Sequence, residues 1–118
     1  PTFRGYWAHH DVDVLEQNGL ASAQWAGAER QRRSDAWLEL KRATGLADVD
    51  EIMAMLCEDL AGSKTPLFMM ALNDLLQELE SQNVPGTSSQ YPNWRRKMVP
   101  TLVALMKRLA AARSNPEC

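Results

Sequence analysis

The sequence predicts a mostly helical chain whose place in the α/β class turns on one short segment. Three observations set this out. Residues Ser22 to about Ala43, Asp48 or Asp50 to Leu60, and Pro100 to about Ala112 repeat apolar side chains at helical spacing and carry start and stop residues at their ends. Leu67-Phe68-Met69-Met70-Ala71-Leu72 is apolar without alternation, between Pro66 and Asn73-Asp74. Its length and flanks fit a strand buried on both faces, whereas Met, Ala and Leu favour helix, so the residues alone leave both readings open. Asn83 to Lys97 can be neither, because Pro85 and Pro92 lack amide donors and Gly86 frees the backbone for a turn.

In chain order, residues 1–12 read as a loop in which Phe3, Tyr6 and Trp7 surround Arg4 and Gly5, followed by His9, His10 and Asp11. The rings fit either packing of a loop on its scaffold or stacking on a ligand. Adjacent histidines diverge on any regular element, which argues against a metal site. Asp13 and Glu16 resemble a capping box opening a short turn that Gly19 closes.

Ser22 then caps the longest helix, with Trp25, Ala28, Ala36, Trp37, Leu40 and Ala43 as a ragged apolar stripe and Gly45 as terminator. The intervening Glu29-Arg30-Gln31-Arg32-Arg33-Ser34-Asp35 reads as a solvated face. The second helix carries Ile52, Met53, Met55, Leu56 and Leu60 and ends at Gly62; its methionines read as core filler and Cys57 as a small core residue. Ser63 to Pro66 form a turn. In the last helix Pro100 suits the first position, Leu102, Val103, Leu105, Met106 and Leu109 mark a buried stripe, and Arg108 and Arg113 favour its end. Asn115 to Cys118 read as a tail.

The formal charge of −2 and pI near 5.7 give no footprint for nucleic acid or an anionic membrane. No apolar run is long enough for a membrane span and no signal-peptide core opens the chain. Two cysteines do not suggest a disulfide scaffold, so a reducing cytoplasm is the expected location. No cofactor or metal is implied.

The loop at 83–97 carries the most specific pattern. Tyr91 and Trp94 stand beside Arg95, Arg96 and Lys97, a combination that pins a loop or holds something planar and hydroxyl-rich. Asn83-Val84-Pro85-Gly86-Thr87, then Pro92-Asn93-Trp94-Arg95-Arg96, resembles the carboxy-terminal signature of the 4-alpha-glucanotransferases known as amylomaltase or disproportionating enzyme, glycoside hydrolase family 77. Pro1-Thr2-Phe3-Arg4-Gly5-Tyr6-Trp7 resembles the segment that follows that family's His-Asp pair. The likeness covers nearly the whole chain. Where Gln77 stands the family commonly has glycine, near Ser81 or Gln82 a cation, and at Gln90 and Tyr91 an acid-His pair.

The resemblance implies an α/β fold, the C-terminal part of a (β/α)8 TIM barrel: a loop after strand seven at 1–19, a helical crossover at 20–62, strand eight at 67–72, an active-face loop at 73–99 and the last helix at 100–113. A lone strand cannot satisfy its own ladder groups, so the chain, which opens on Pro1 without methionine, reads as the tail of a longer protein whose N-terminal part of the barrel completes it. Folded alone it should be mostly helical and loosely packed.

By the same resemblance the parent would transfer alpha-1,4-glucan segments between maltooligosaccharides with retention of configuration. Such chemistry needs two carboxyl groups about 5 to 5.5 Å apart, one nucleophile and one acid/base. In the family these, and the stabilising Asp of the His-Asp pair, lie upstream of Pro1, so no catalytic residue is expected in this chain and the chain alone should be inactive. Arg4, Trp7, Asp74, Gly86, Thr87 and Asn93 are the implied substrate-binding candidates; helix capping is the second role open to Asp74, and the two can coexist. Pro85, Pro92, Trp94, Arg95 and Arg96 are expected to anchor the loop. Two other readings stand beside this one: another retaining alpha-glucan enzyme of the amylase superfamily, and a helical interaction module.

Overall fold

Regular structure begins at once. The computed structural model describes residues 1–99 and 101–113, the last stretch 108–113 by its backbone alone. Thr2 caps α1 (Phe3–Trp7), its hydroxyl accepting from the Gly5 amide at 2.9 Å, and His9 at φ 61 turns the chain into α2 (His10–Gln17). The expected loop at 1–19 is therefore two helices. The reason is non-local: a second orphan amide of α1, Phe3 N–H, donates to the Asp74 carboxylate at 2.6 Å. Asp13 lies inside α2 and pairs with Arg30, so it opens no capping box. Gly19, at φ 69, ends the element as expected.

α3 (Ala23–Thr44) runs from the Ser22 cap to Gly45, whose left-handed φ of 72 lets its amide reach the Lys41 carbonyl. α4 (Val49–Gly62) starts where the Asp48 carboxylate accepts from the Asp50 and Glu51 amides. These two helices follow local signals and match their sequence bounds closely. α1, only five residues long, touches α2, α3 and α4 and so sits at the centre of the packing.

The expected strand at 67–72 is not there. Leu67 to Ala71 lie outside regular structure and Leu72 opens a single turn, α5 (Leu72–Leu75). Among the described residues all regular structure is helical, which overturns the α/β barrel-fragment assignment. A strand buried on both faces requires neighbours on both edges and both faces, and this segment has neither: Leu67 is 69% and Met69 81% exposed. Nor does helix propensity prevail, since Met69, Met70 and Ala71 favour helix and stay outside regular structure while the turn forms at Leu72 to Leu75.

α6 (Leu102–Arg113) also departs from its expected buried stripe, since Leu102, Val103 and Met106 are exposed. Pro100, the tail at 115–118 and the side chains of Arg108, Leu109 and Arg113 lie outside the described residues. The core is correspondingly small: Val12, Ala26 and Ile52 are fully buried, and Val14, Val84 and Tyr91 form a second cluster with Leu15. The radius of gyration is 16.6 Å, against about 13.5 Å for a well-packed domain of this length. The chain is loosely packed; α1 is tied to residues 74–79 by hydrogen bonds, and α2 packs on the 83–95 loop through Val14, Val84 and Tyr91.

One position there is strained. Gln77 follows α5 with φ 58, a conformation that disfavours any residue with a Cβ. We expect Gln77→Gly to raise stability by about 1 kcal/mol, since the relieved strain exceeds the added freedom of the unfolded chain. Denaturant unfolding checks this; a lower midpoint for Gln77→Gly would contradict it.

Candidate functional site

The candidate residues fall into two joined patches. The first is a seam between the start of the chain and residues 74–79. Thr2 Oγ1 donates to the Leu79 carbonyl at 2.9 Å, Phe3 N–H to Asp74, and Arg4 Nη1 to the Gln77 carbonyl at 3.4 Å. Arg4 also lies 3.8 Å from the Asp50 carboxylate of α4. Gly5 is the residue the seam cannot replace. Its backbone is helical, but a Cβ there would stand 2.3 Å from the Leu79 carbonyl oxygen and 2.8 Å from Thr2 Oγ1. Thus Arg4 and Asp74 are brought together by residues more than seventy positions apart, with Asp74 acting as a helix cap.

Trp7 belongs to an aromatic cluster behind this seam. Its ring is 5.0 Å from those of both Tyr6 and Trp37, and Phe3 meets it edge-on at 6.3 Å. The cluster is held by Arg33, which the sequence places on a charged, apparently solvated face of α3. The side chain is instead buried, 5% exposed. Its fork donates to both Asp11 oxygens at 2.7 and 2.9 Å, its Nη1 also to the Tyr6 carbonyl, and its Nε to Glu29 at 2.8 Å. The guanidinium lies 3.8 Å from the Tyr6 ring centre. Burial opposes the charge of Arg33, but the hydrogen bonds it donates to Asp11 and Glu29 prevail and its pKa stays above the ordinary value. The sequence shows only the Glu29–Arg33 spacing of four on one helix face; Asp11 and Tyr6 lie more than twenty positions from Arg33, and no local rule pairs them with it.

Glu29 feels the other side of this network. Hydrogen bonds from Arg32 and then Arg33 lower its pKa from 4.5 to about 2. A folded-state pKa below the unfolded one gives stability that is complete above the unfolded value and lost as pH falls through the folded value. We therefore expect the melting temperature to drop between about pH 4.5 and 2 and this part of the drop to vanish in Glu29→Gln. Parallel acid profiles for the two proteins would contradict it.

The second patch is the loop at 83–95, folded on α2 through Val84 and Tyr91. Asn93 ties it shut. Its Oδ1 accepts from the Val84 amide at 2.9 Å, and its Nδ2 donates to the Thr87 carbonyl at 3.1 Å and the Thr87 hydroxyl at 2.8 Å. Thr87 in turn donates to the Val84 carbonyl at 2.6 Å, and Gly86 makes the bend at φ 87. The polar groups of Asn93 and Thr87 are thus engaged within the loop, between the exposed Pro85 and Pro92. Tyr91 is buried and its hydroxyl donates to the Ser81 carbonyl at 2.6 Å; burial pushes the phenol pKa up.

Of the expected anchors, Arg96 pairs with Glu80 and lies 5.9 Å from the Tyr91 ring, while Arg95 is exposed. Trp94 departs from the anchoring expectation. Its amide donates to the Gln82 carbonyl at 2.7 Å, but its side chain is 73% exposed. The backbone of Trp94, not its indole, ties the loop down.

Chemically the two patches offer hydrogen-bonding groups and rings rather than a reacting pair. Asp11 is held by Arg33, Asp13 by Arg30 and Asp74 by an amide. Cys57 lines an apolar groove of about 220 Å³ with Phe3, Met53 and Phe68; burial, then the charges of Asp74 and Glu58, push its thiol pKa up, which disfavours the thiolate. Among the described residues no three His, Cys, Asp or Glu side chains converge as a metal site, and no helix is long and apolar enough to cross a membrane.

A sequence model of glycoside hydrolase family 77, described as 4-alpha-glucanotransferase, matches residues 1–102, which include both patches. The chain belongs to this family. Among relatives, it is similar to a 4-alpha-glucanotransferase of Mycobacterium tuberculosis strain H37Rv, with 34% identity over 103 residues covering 80% of this chain and 14% of that protein. A 4-alpha-glucanotransferase of Haemophilus influenzae strain Rd is 27% identical over 117 residues, covering 86% of this chain and 17% of its own length. The family-77 chain therefore spans only a small part of the curated relatives it matches. No solved structure matches it.

Proposed function

We propose that this family-77 chain supplies glucan-contacting surface to a 4-alpha-glucanotransferase, as the C-terminal portion of a longer catalytic unit, and that it does not catalyse transfer by itself. The observation that carries the reading is the seam: Thr2, Phe3, Arg4 and Gly5 lock onto Asp74, Gln77 and Leu79, which fixes the first family-like segment to the stretch leading into the second. In the transfer reaction a glycosyl-enzyme intermediate must meet a sugar hydroxyl before it meets water. Arg4 at the seam and the tied loop at 86–93 suit acceptor-side positioning, whereas the nucleophile and acid/base come from elsewhere.

Two coarser readings share these observations. Identity of 27 to 34% also suits another retaining alpha-glucan enzyme of the amylase superfamily, which would release products by hydrolysis or branching. The helical regular structure of the described residues and the exposed apolar side chains of Leu67, Met69, Leu102 and Val103 favour a helical interaction module. Electrophoresis of the chain in gels cast with soluble starch, with a beta-glucan, or with neither separates glucan surface from interaction module. Retardation by starch alone is expected; equal mobility in all three gels would overturn the glucan reading.

A further inference from the structure

We propose that Trp94 is a stacking platform for a glucose ring of an alpha-1,4-glucan, presented by the Asn93 clamp; the proposal rests on the glucan reading above. Exposure alone would carry nothing, since single apolar side chains at the surface are ordinary. The backbone sets Trp94 apart. At φ 59 it occupies the left-handed region, which bulky side chains rarely adopt and which persists only where the surroundings enforce it. His9 and Gln77 share that conformation, but both stand at helix ends, where a left-handed residue closes the turn. Trp94 stands at no helix end.

The surroundings that enforce it are on either side. Asn93 fixes the preceding residue through three hydrogen bonds of its amide, the Trp94 amide is held by the Gln82 carbonyl, and Arg95 N–H donates to the Pro92 carbonyl at 3.1 Å. The same turn buries Tyr91, so the loop has an aromatic facing inward already and still turns its larger ring out. A ring that served packing would be placed as Tyr91 is. Strain enforced by neighbours and directed to solvent is the pattern of a contact residue.

The ligand follows from the chemistry of that ring. The face of a glucopyranose presents C–H groups, apolar and slightly positive, which suit the negative face of an indole. Its edge presents hydroxyls, for which the exposed neighbours Arg95 and Lys97 supply donors. A neutral sugar held in this way binds with little dependence on salt, unlike an anion held by the same cations.

The test uses maltoheptaose, titrated into the 118-residue chain and into Trp94→Gly, Trp94→Phe and Trp25→Phe, with calorimetry for affinity, circular dichroism for folding and a thermal melt for each. Trp94→Gly is the decisive variant because it removes the ring and relieves the strained φ together. The expected result is millimolar, salt-insensitive binding by the native chain, unchanged in Trp25→Phe, partly kept in Trp94→Phe, and weakened at least about tenfold in Trp94→Gly, the scale of losing one aromatic stacking surface. Trp94→Gly should melt no lower than the native chain. Equal affinity of Trp94→Gly and the native chain would overturn the stacking role and leave the glucan reading standing. A lower melting temperature in Trp94→Gly would assign the ring to packing and overturn the proposal. Absence of binding by the native chain would remove the glucan reading and this proposal with it.

Discussion

Arg33→Met is expected to cost about 3 kcal/mol or more and to leave the chain largely unfolded at room temperature. Removing one partner of a buried ion pair costs about 3 to 5 kcal/mol, because the remaining charges stay desolvated without compensation. Asp11 and Glu29 are each 16% exposed and can recover some water, which places the expectation at the lower end of that range. Methionine replaces much of the volume, so the loss reports the fork and not a cavity. Arg33→Lys should also destabilise, since an ammonium cannot meet both Asp11 oxygens, the Tyr6 carbonyl and Glu29 at once. Far-UV circular dichroism against urea checks both variants. A midpoint for Arg33→Met equal to that of the parent would contradict the burial and partners assigned to this side chain.

The second large effect is expected from Gly5→Ala. Its added methyl would lie 2.3 Å from a backbone carbonyl oxygen that already accepts from Thr2, so α1 and the 74–79 segment must separate. Overpacking against backbone costs about 1 to 3 kcal/mol, and the figure should fall near the top because no flexible side-chain end can yield. Loss of the Thr2 and Phe3 hydrogen bonds to Leu79 and Asp74 would accompany it. Amide exchange at Phe3 reads this directly: faster exchange in Gly5→Ala is expected, and unchanged exchange with an unchanged melt would show that the seam tolerates a side chain.

How much of this was legible in the sequence depends on how local the cause is. α3 and α4 were readable because Ser22, Gly45 and Asp48 act on amides and carbonyls within a few residues of themselves. α1 and α2 are hidden in the sequence because the group that completes the α1 cap, Asp74, is 71 positions away from Phe3. The charged run from Glu29 to Asp35 hid a buried guanidinium because burial of Arg33 depends on Asp11 and Tyr6 of other helices. For 67–72 the residues alone left helix and strand open, and the family likeness tipped the reading toward a strand that the described chain has no neighbours to support. The prolines and Gly86 mark 83–97 as a loop, but its closure by Asn93 and the outward turn of Trp94 depend on dihedral angles that composition does not reveal. Gln77 is less legible still: nothing about a glutamine announces the left-handed backbone that the structure has there.

The central claim is that this chain contributes surface, and not reacting groups, to alpha-glucan chemistry. Highly purified chain is incubated with maltotriose beside the full-length Mycobacterium tuberculosis relative at equal molarity, and glucose release and oligosaccharide lengths are followed. The account predicts longer oligosaccharides and glucose from the relative and no turnover from the chain, because Asp11, Asp13 and Asp74 are each committed to a fixed partner and none is free to act in a nucleophile and acid pair. Redistribution of maltotriose by the chain alone, abolished by substitution of one of those three carboxylates, would contradict it.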